Sequence, residues 1–298
     1  MASNSVAPPL LVIVGETASG KSALALELAR QFDGELICAD SWTVYKDFDI
    51  GTAKPSPLER AKIPHHLLDV ADAHGGFSAV IFQQLAQSAI NAITARGKLP
   101  ILVGGTGLYI DSVLYHYGFL APPAPELRQE LSALSLEQLL ERAEANGLST
   151  DGIDVRNKRR VIRLIENDGQ LPTKKALRPN TLILGLQVPR EQLHERVTQR
   201  VDNMLAAGLE VEAKHLADEY GWEAEPMKGI GYAQWQAYFA GTQNLDETRA
   251  KIIKATQDLA KRQRTWFKRN SSIHWLSTSV NLTQAADLVT TFLHPKTS

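Results

Sequence analysis

An apolar run, Leu10 to Val14, leads into Gly15-Glu16-Thr17-Ala18-Ser19-Gly20-Lys21-Ser22, and the helix-like segment Ala23-Leu24-Ala25-Leu26-Glu27-Leu28-Ala29 follows at once. The eight central residues fit the P-loop pattern G-x-x-x-x-G-K-[ST] in the context that gives it meaning, a strand entering a glycine-rich turn and a helix leaving it. The physics is anion capture. Backbone N–H groups of the turn and the positive end of the helix point at phosphate oxygens, Lys21 supplies a point charge, and the Ser22 hydroxyl can reach Mg²⁺. Gly15, Glu16, Thr17, Ala18, Ser19, Gly20, Lys21 and Ser22 are therefore the expected phosphate-binding set, with Ser22 on the metal. The motif leaves open whether the compound is ATP, another nucleotide or a different diphosphate.

Downstream, Gly34 to Ala39 reads as a second buried strand, ending at Asp40. In open α/β sheets ligands sit beyond the carboxyl ends of the strands, so Asp40 is expected in the P-loop crevice. Ser41 to Pro55 has no clear periodicity and mixes polar, aromatic and glycine positions, as binding loops do. Pro64 to Val70 resembles another short strand; its paired His65 and His66 have no further ligand at metal spacing, so no metal site is expected there. From Phe77 the positions Phe77, Ile81, Leu85, Ala89 and Ile93 recur at helical spacing until Gly97. Lys98 to Val103 is the next strand, running into Gly104-Gly105-Thr106-Gly107-Leu108-Tyr109, which lacks Rossmann spacing. This alternation predicts a parallel sheet wrapped by helices.

The cluster Ala121-Pro122-Pro123-Ala124-Pro125 marks a change of regime. Beyond it the chain reads as all-helical, with a capping box at Ser135 and Gln138 and a second helix over Asn157 to Glu166 closed by Gly169. On that helix Val161, Ile162, Leu164 and Ile165 share one side, while Arg159, Arg160 and Arg163 form a basic stripe suited either to solvent or to phosphates. Thr181 to Val188 returns to strand character. The expected architecture is therefore a P-loop α/β core over residues 1–120 and 176–298, with an inserted helical domain over 121–175. Later helices span Glu191 to Gly208 and Asp246 to Arg269, the latter ending in the aromatic and basic string Gln263-Arg264-Thr265-Trp266-Phe267-Lys268-Arg269.

Net charge is −1, so any nucleic-acid contact has to be a local patch. Cys38, the one cysteine, sits in an apolar run and excludes a disulfide framework, which favours a reducing compartment. No basic leader or membrane-length apolar run is evident, and a cytoplasmic protein, with no membrane contact and monomeric, is expected.

Several strings occur in one order: Gly15 to Ser22, Asp40-Ser41 with Val44-Tyr45, Asp49-Ile50-Gly51-Thr52-Ala53-Lys54-Pro55, Pro64-His65-His66-Leu67, Gly104 to Tyr109, Arg159-Arg160-Val161-Ile162-Arg163 and Gly229-Ile230-Gly231-Tyr232. Together they resemble the bacterial tRNA dimethylallyltransferase (tRNA isopentenyltransferase) family over nearly the whole chain. The resemblance implies transfer of a dimethylallyl group from dimethylallyl diphosphate to the exocyclic amine of adenosine 37 in tRNA, with Mg²⁺ required and diphosphate released. It implies Asp40 as the base, Thr106 as a catalytic residue contacting the acceptor nucleotide, and Arg200 on the diphosphate. It also implies a tRNA surface comprising Asp40, Ser41, Trp42, Thr43, Thr106, Arg128, Arg159, Arg160, Val161, Ile162 and Arg163, gripping the anticodon stem-loop. Two departures stand out. Glu16 replaces the more frequent proline and adds negative charge beside the cradle, and Trp42-Thr43 replaces the more frequent Met-Gln. An isopentenyltransferase for free adenine nucleotides, a small-molecule P-loop kinase and a non-catalytic tRNA- or nucleotide-binding regulator are the competing readings.

Overall fold

The computed structural model describes residues 7–121, 124–277 and 282–295. Its six strands, β1 (Leu10–Gly15), β2 (Gly34–Ala39), β3 (His65–His66), β4 (Leu99–Gly104), β5 (Thr181–Gln187) and β6 (Ile273–Ser277), form one parallel sheet in the order β3-β2-β4-β1-β5-β6. Every residue of β1, β2 and β4 is buried, as a strand covered on both faces requires. Leu10 to Val14 have no exposed surface, and each aliphatic side chain so buried contributes roughly 1.5–3 kcal/mol.

The strand order decides where chemistry can happen. The chain leaves β1 for β2, and the space between them is filled later by β4, so the register aligns Val14 with Gly104 and Gly104 with Ala39. Three loops consequently leave the same edge of the sheet side by side: the P-loop, the Asp40 loop and the Gly-Gly-Thr-Gly turn. A switch point of this kind is where open α/β sheets place their ligands.

The chain forms two compact units, residues 1–114 with 178–298 and residues 115–177. In the first, helices α1 (Lys21–Gln31), α2 (Pro57–Lys62), α3 (Ala79–Ala95) and α4 (Gly107–Leu114) alternate with the strands. The second contains α5 (Pro125–Ala133), α6 (Leu136–Ala145) and α7 (Lys158–Glu166), packed around Leu131, Leu139, Ala143, Val161, Ile162, Leu164 and Ile165. Ser135 and Gln138 make the expected capping box, with Gln138 N–H donating to Ser135 Oγ at 3.2 Å and Ser135 N–H to Gln138 Oε1 at 2.8 Å. Of the proline cluster, Pro122 and Pro123 lie outside the described residues. The first unit is completed by α8 (Arg190–Ala206), α9 (Leu209–Tyr220), α10 (Trp235–Phe239), α11 (Leu245–Phe267) and α12 (Leu282–Leu293).

Two local expectations need correction. The helix expected from Phe77 starts at Ala79, capped by Ser78 Oγ, which accepts from Ile81 N–H. Its buried face is Phe82, Ala86, Ile90 and Ile93, and Ile81 and Leu85 are exposed. The segment Pro64 to Val70 supplies only a two-residue strand, because Leu67 and Asp69 adopt positive φ (64° and 57°) and turn the chain away.

Candidate functional site

The turn after β1 ends at Gly20, which precedes α1 in the left-handed region (φ 93°) and gives the helix no side-chain cap. The first-turn N–H groups therefore keep no partner within the helix, the condition for an anion site. Lys21 curls back over the turn, its Nζ donating to Glu16 O at 3.2 Å. Burial, together with the neighbouring Arg200 charge, lowers the Lys21 pKa to about 8, against weaker opposing pulls from Asp40 and Glu16. Burial likewise lowers the Arg200 guanidinium, with Asp40 acting the other way. Two cations thus converge near one carboxylate.

All three line a cavity of ≈ 220 Å³, with Thr17 and Ser22 from the P-loop, Trp42 and Thr43 from the Asp40 loop, and the 51–55 stretch beside Arg200. The same cavity is lined by the apolar side chains of Leu26, Val103, Met204, Ile252 and Leu259 and by the polar ones of Glu59, His65, Thr256 and Gln263. Cys38 also faces this space, but burial and the Asp40 charge push its thiol up to about 12, which keeps it protonated and unreactive.

Asp40 is set by its own turn, with Oδ1 accepting from Trp42 N–H at 2.9 Å. Thr106 joins this loop to the glycine turn: its N–H donates to Ala39 O at 3.2 Å and its Oγ1 accepts from Ser41 N–H at 3.0 Å. The structure thus brings together Asp40, Ser41, Trp42, Thr43 and Thr106 beside Lys21, Ser22 and Arg200. Thr43 is buried and its hydroxyl has no hydrogen-bond partner among the described residues. The paired histidines serve the scaffold, His66 Nε2 lying 2.7 Å from Glu35 Oε2 and His65 Nδ1 2.7 Å from Ile63 O.

Glu16 does not face the cradle as the sequence implied. It is buried, and its carboxylate is held in a two-pronged pair by Arg264, whose Nη2 donates to Glu16 Oε2 at 2.9 Å and to Val188 O at 2.8 Å. The negative charge is neutralised where the guanidinium fork fits it, so it bears on the cradle far less than an unpaired carboxylate would. Thr17 N–H is also taken, donating to Gln263 Oε1 at 2.7 Å. The basic and aromatic string at the end of α11 thus turns its Gln263 and Arg264 inward. Phe267 is core, and Trp266 fills the space a Cβ on Gly107 would need.

Two further residues, neither among the expected site residues, shape the site. Lys54 is almost fully buried, with Nζ at 2.7 Å from Asp49 Oδ1, 2.6 Å from Asp69 Oδ1 and 2.7 Å from Tyr45 O, which pins the Asp-Ile-Gly-Thr-Ala-Lys loop. Glu212 of α9 caps the same loop from the other side, accepting from the N–H groups of Asp49, Ile50 and Gly51 and from the Tyr232 hydroxyl at 2.7 Å. Gly51 has no room for a Cβ because the Tyr232 ring lies there.

In the helical unit the basic surface is smaller than the sequence reading had it. Arg128 pairs with the buried carboxylate of Glu166, and Arg163 Nη1 lies 3.4 Å from Glu166 Oε2. Val161 and Ile162 are core side chains at 0% and 4% exposure, so their side chains are not positioned to touch a ligand. Arg159 and Arg160 remain exposed.

The chain matches the family model described as IPP transferase over residues 43–270. A tRNA dimethylallyltransferase of Anoxybacillus flavithermus is 42% identical over 277 residues, covering 89% of each chain. One from Staphylococcus epidermidis is 38% identical over 314 residues, covering 98% of this chain and 93% of its own. The crystal structure of a tRNA isopentenylpyrophosphate transferase from Bacillus halodurans aligns over 96% of both chains at 33% identity, with a TM-score of 0.75. A eukaryotic dimethylallyltransferase captured acting on tRNA aligns over 96% of this chain and 80% of its own at 27% identity, with a TM-score of 0.79. With a P-loop and a strand-end aspartate converging on one crevice, a helical unit inserted in the chain between β4 and β5, and likeness running nearly end to end, the chain belongs to the IPP transferase family, the tRNA dimethylallyltransferases.

Proposed function

We propose that this protein transfers a dimethylallyl group from dimethylallyl diphosphate to N6 of adenosine 37 in tRNA, forming a carbon–nitrogen bond, releasing diphosphate and passing the amine proton to Asp40. The observation that carries the reading is the lining of the cavity, which combines Lys21 and Arg200 with the apolar side chains of Leu26, Val103, Met204, Ile252 and Leu259. A prenyl diphosphate, with an anionic head and a hydrocarbon tail, matches that combination.

The residues divide the work as the chemistry demands. As the allylic carbon departs from its leaving group, negative charge builds on the diphosphate, and the first-turn amides, Lys21 and Arg200 are placed to stabilise it. The exocyclic amine is a weak nucleophile until its proton leaves; Asp40 supplies the acceptor, oriented by Trp42 N–H. Thr106 and Ser41 hold the loop on which Asp40 sits, and Trp42 lines the space a flipped-out base would enter. The Ser22 hydroxyl offers a hard oxygen donor in the same cavity as Lys21. A single hydroxyl ligand fits Mg²⁺, which keeps several waters and takes phosphate oxygens, and which when bound would neutralise the leaving diphosphate. No helix among the described residues is long and apolar enough to cross a membrane.

Arg159 and Arg160 are the exposed cations offered to the anticodon stem-loop. Replacing both with Gln is expected to weaken tRNA binding and flatten its salt dependence by up to roughly 0.9 log unit per lost duplex contact, less for single-stranded contacts. Unchanged affinity and slope would assign the pair to solvent. The function itself is tested by incubating the protein with labelled dimethylallyl diphosphate and either unmodified tRNA or AMP, ADP and ATP. Label in tRNA supports the reading; label in the free nucleotides alone replaces it with nucleotide prenylation.

A further inference from the structure

Gln263 occupies a position that none of the motifs anticipates. It lies on α11, is 8% exposed, and its one amide spans two loops that lie far apart in the chain. Oε1 accepts the Thr17 N–H of the P-loop at 2.7 Å, and Nε2 donates to Gly105 O of the glycine turn at 3.1 Å. The polarity is determined by the two backbone groups, one a donor and the other an acceptor, so only one orientation of the amide satisfies both. The approach is close: a Cβ on Gly105 would lie 2.2 Å from Gln263 Nε2. Gly105 immediately precedes Thr106, whose Oγ1 accepts from Ser41 N–H beside Asp40.

We propose that Gln263 is a positioning residue that couples the donor-phosphate turn to the acceptor-side turn, setting the Lys21 cradle and the Asp40–Thr106 pair in register. This rests on the prenyl-transfer reading above. The Thr17 arm holds the turn that bears the leaving group, and the Gly105 arm holds the turn beside the base. Reacting groups displaced by about 1 Å lose up to roughly 100-fold in rate, so a single side chain that sets the spacing of two loops is felt in turnover without touching substrate.

Glu and Met substitutions separate the two arms. Gln263→Glu keeps the size and the acceptor for Thr17 N–H but sets a carboxylate oxygen against Gly105 O. Protonated, that carboxyl regains an O–H donor and reproduces the amide's pattern. Gln263→Met fills the volume and removes both arms. The groups that titrate or carry charge around the cavity that Gln263 lines are Lys21 of α1, Cys38 of β2, Asp40 after it, Lys54, Glu59 of α2, His65 of β3 and Arg200 of α8, with the Glu16–Arg264 pair at the P-loop. Parent and variants share them all, so a pH dependence relative to the parent that appears with Glu and not with the uncharged Met belongs to the introduced carboxyl.

The experiment measures single-turnover rates on unmodified tRNA from pH 5.5 to 8.5, and dimethylallyl diphosphate affinity by calorimetry without tRNA. Gln263→Glu is expected to be slower than the parent by roughly 10- to 100-fold at pH 8, to recover towards it as the pH falls, and to keep donor Kd within about twofold of the parent at the low end of the range, where the protonated carboxyl adds no charge and the Thr17 arm persists. Gln263→Met is expected to lose rate at every pH and to bind donor more weakly. Parent-like rates in both variants, or equal losses with no recovery at low pH, would overturn the proposal. A parent that prenylates only free nucleotides would overturn the tRNA reading instead, and the donor-affinity arm would still decide whether Gln263 holds the P-loop.

Discussion

Replacing Asp40 with asparagine is expected to slow the chemical step by about two to four orders of magnitude, the usual range for losing a general base, with donor affinity little changed. Asparagine is the informative substitution because Asp40 Oδ1 accepts Trp42 N–H at 2.9 Å, a bond the amide oxygen preserves. The loop should keep its shape while the group that takes the amine proton is gone. Alanine would also remove the turn bond and would mix a structural loss with the chemical one. Single-turnover rates at saturating donor and tRNA, alongside calorimetric donor binding, separate the two effects. A near-normal rate for Asp40→Asn would show that the proton leaves by another route.

Removing the Lys21 charge is the second large effect. Lys21→Ala is expected to cost about 10²- to 10³-fold in the chemical step, comparable with the loss of one donor from a preorganised anion site, and to weaken donor binding as well. The parent carries a built-in control. Its Lys21 titrates near pH 8 because burial and Arg200 disfavour the cation, and a bound diphosphate must raise that value. Donor affinity is therefore full below pH 8 and falls by about tenfold per pH unit above it, until the pKa of the bound state is reached. Lys21→Ala should flatten that slope; an unaltered slope in the variant would assign it to another group. Fold stability runs the opposite way. Folding lowers this lysine from 10.5 to about 8, so the unfolded chain holds the proton more tightly. The resulting penalty is present in full below pH 8 and vanishes as the pH rises through 10.5. The alanine variant should accordingly melt no earlier than the parent at neutral pH.

The parts of this site that were legible in the sequence are those written in local pattern. The P-loop is contiguous, its strand and helix flank it, and Asp40 directly follows a buried strand, so topology alone carries the Asp40 carboxylate to the P-loop. The parts that were not legible depend on long-range partners. Glu16 looked like a charge beside the phosphates because nothing near it in sequence reveals Arg264, and Gln263 looked like one polar member of a basic string. Glu212 caps the Asp49–Gly51 amides across more than 160 residues of chain, with no signature of its own. Arg163 is different, since its partner Glu166 stood three residues away on the same helix, at a spacing where side chains meet. The stripe was drawn without that acid. The face of α3 slipped for a related reason: Phe77 was counted into the helix although Ser78 caps it, and the apolar series was phased from a residue outside. β6 and α12 went unassigned, the strand being only five residues with His274 and Trp275 both exposed between Ile273 and Leu276, which breaks the alternation.

The central claim is that one cavity joins a prenyl diphosphate to the base of a tRNA, and it is tested most directly by where the transferred group lands. Labelled dimethylallyl diphosphate is reacted with two unmodified anticodon stem-loop transcripts, one with adenosine at position 37 and one with guanosine, and the digested nucleosides are separated and identified by mass. The account predicts an N6-dimethylallyl adenosine from the first transcript and no labelled nucleoside from the second. Equal labelling of both, or no labelling of either while AMP, ADP or ATP is modified, would contradict it.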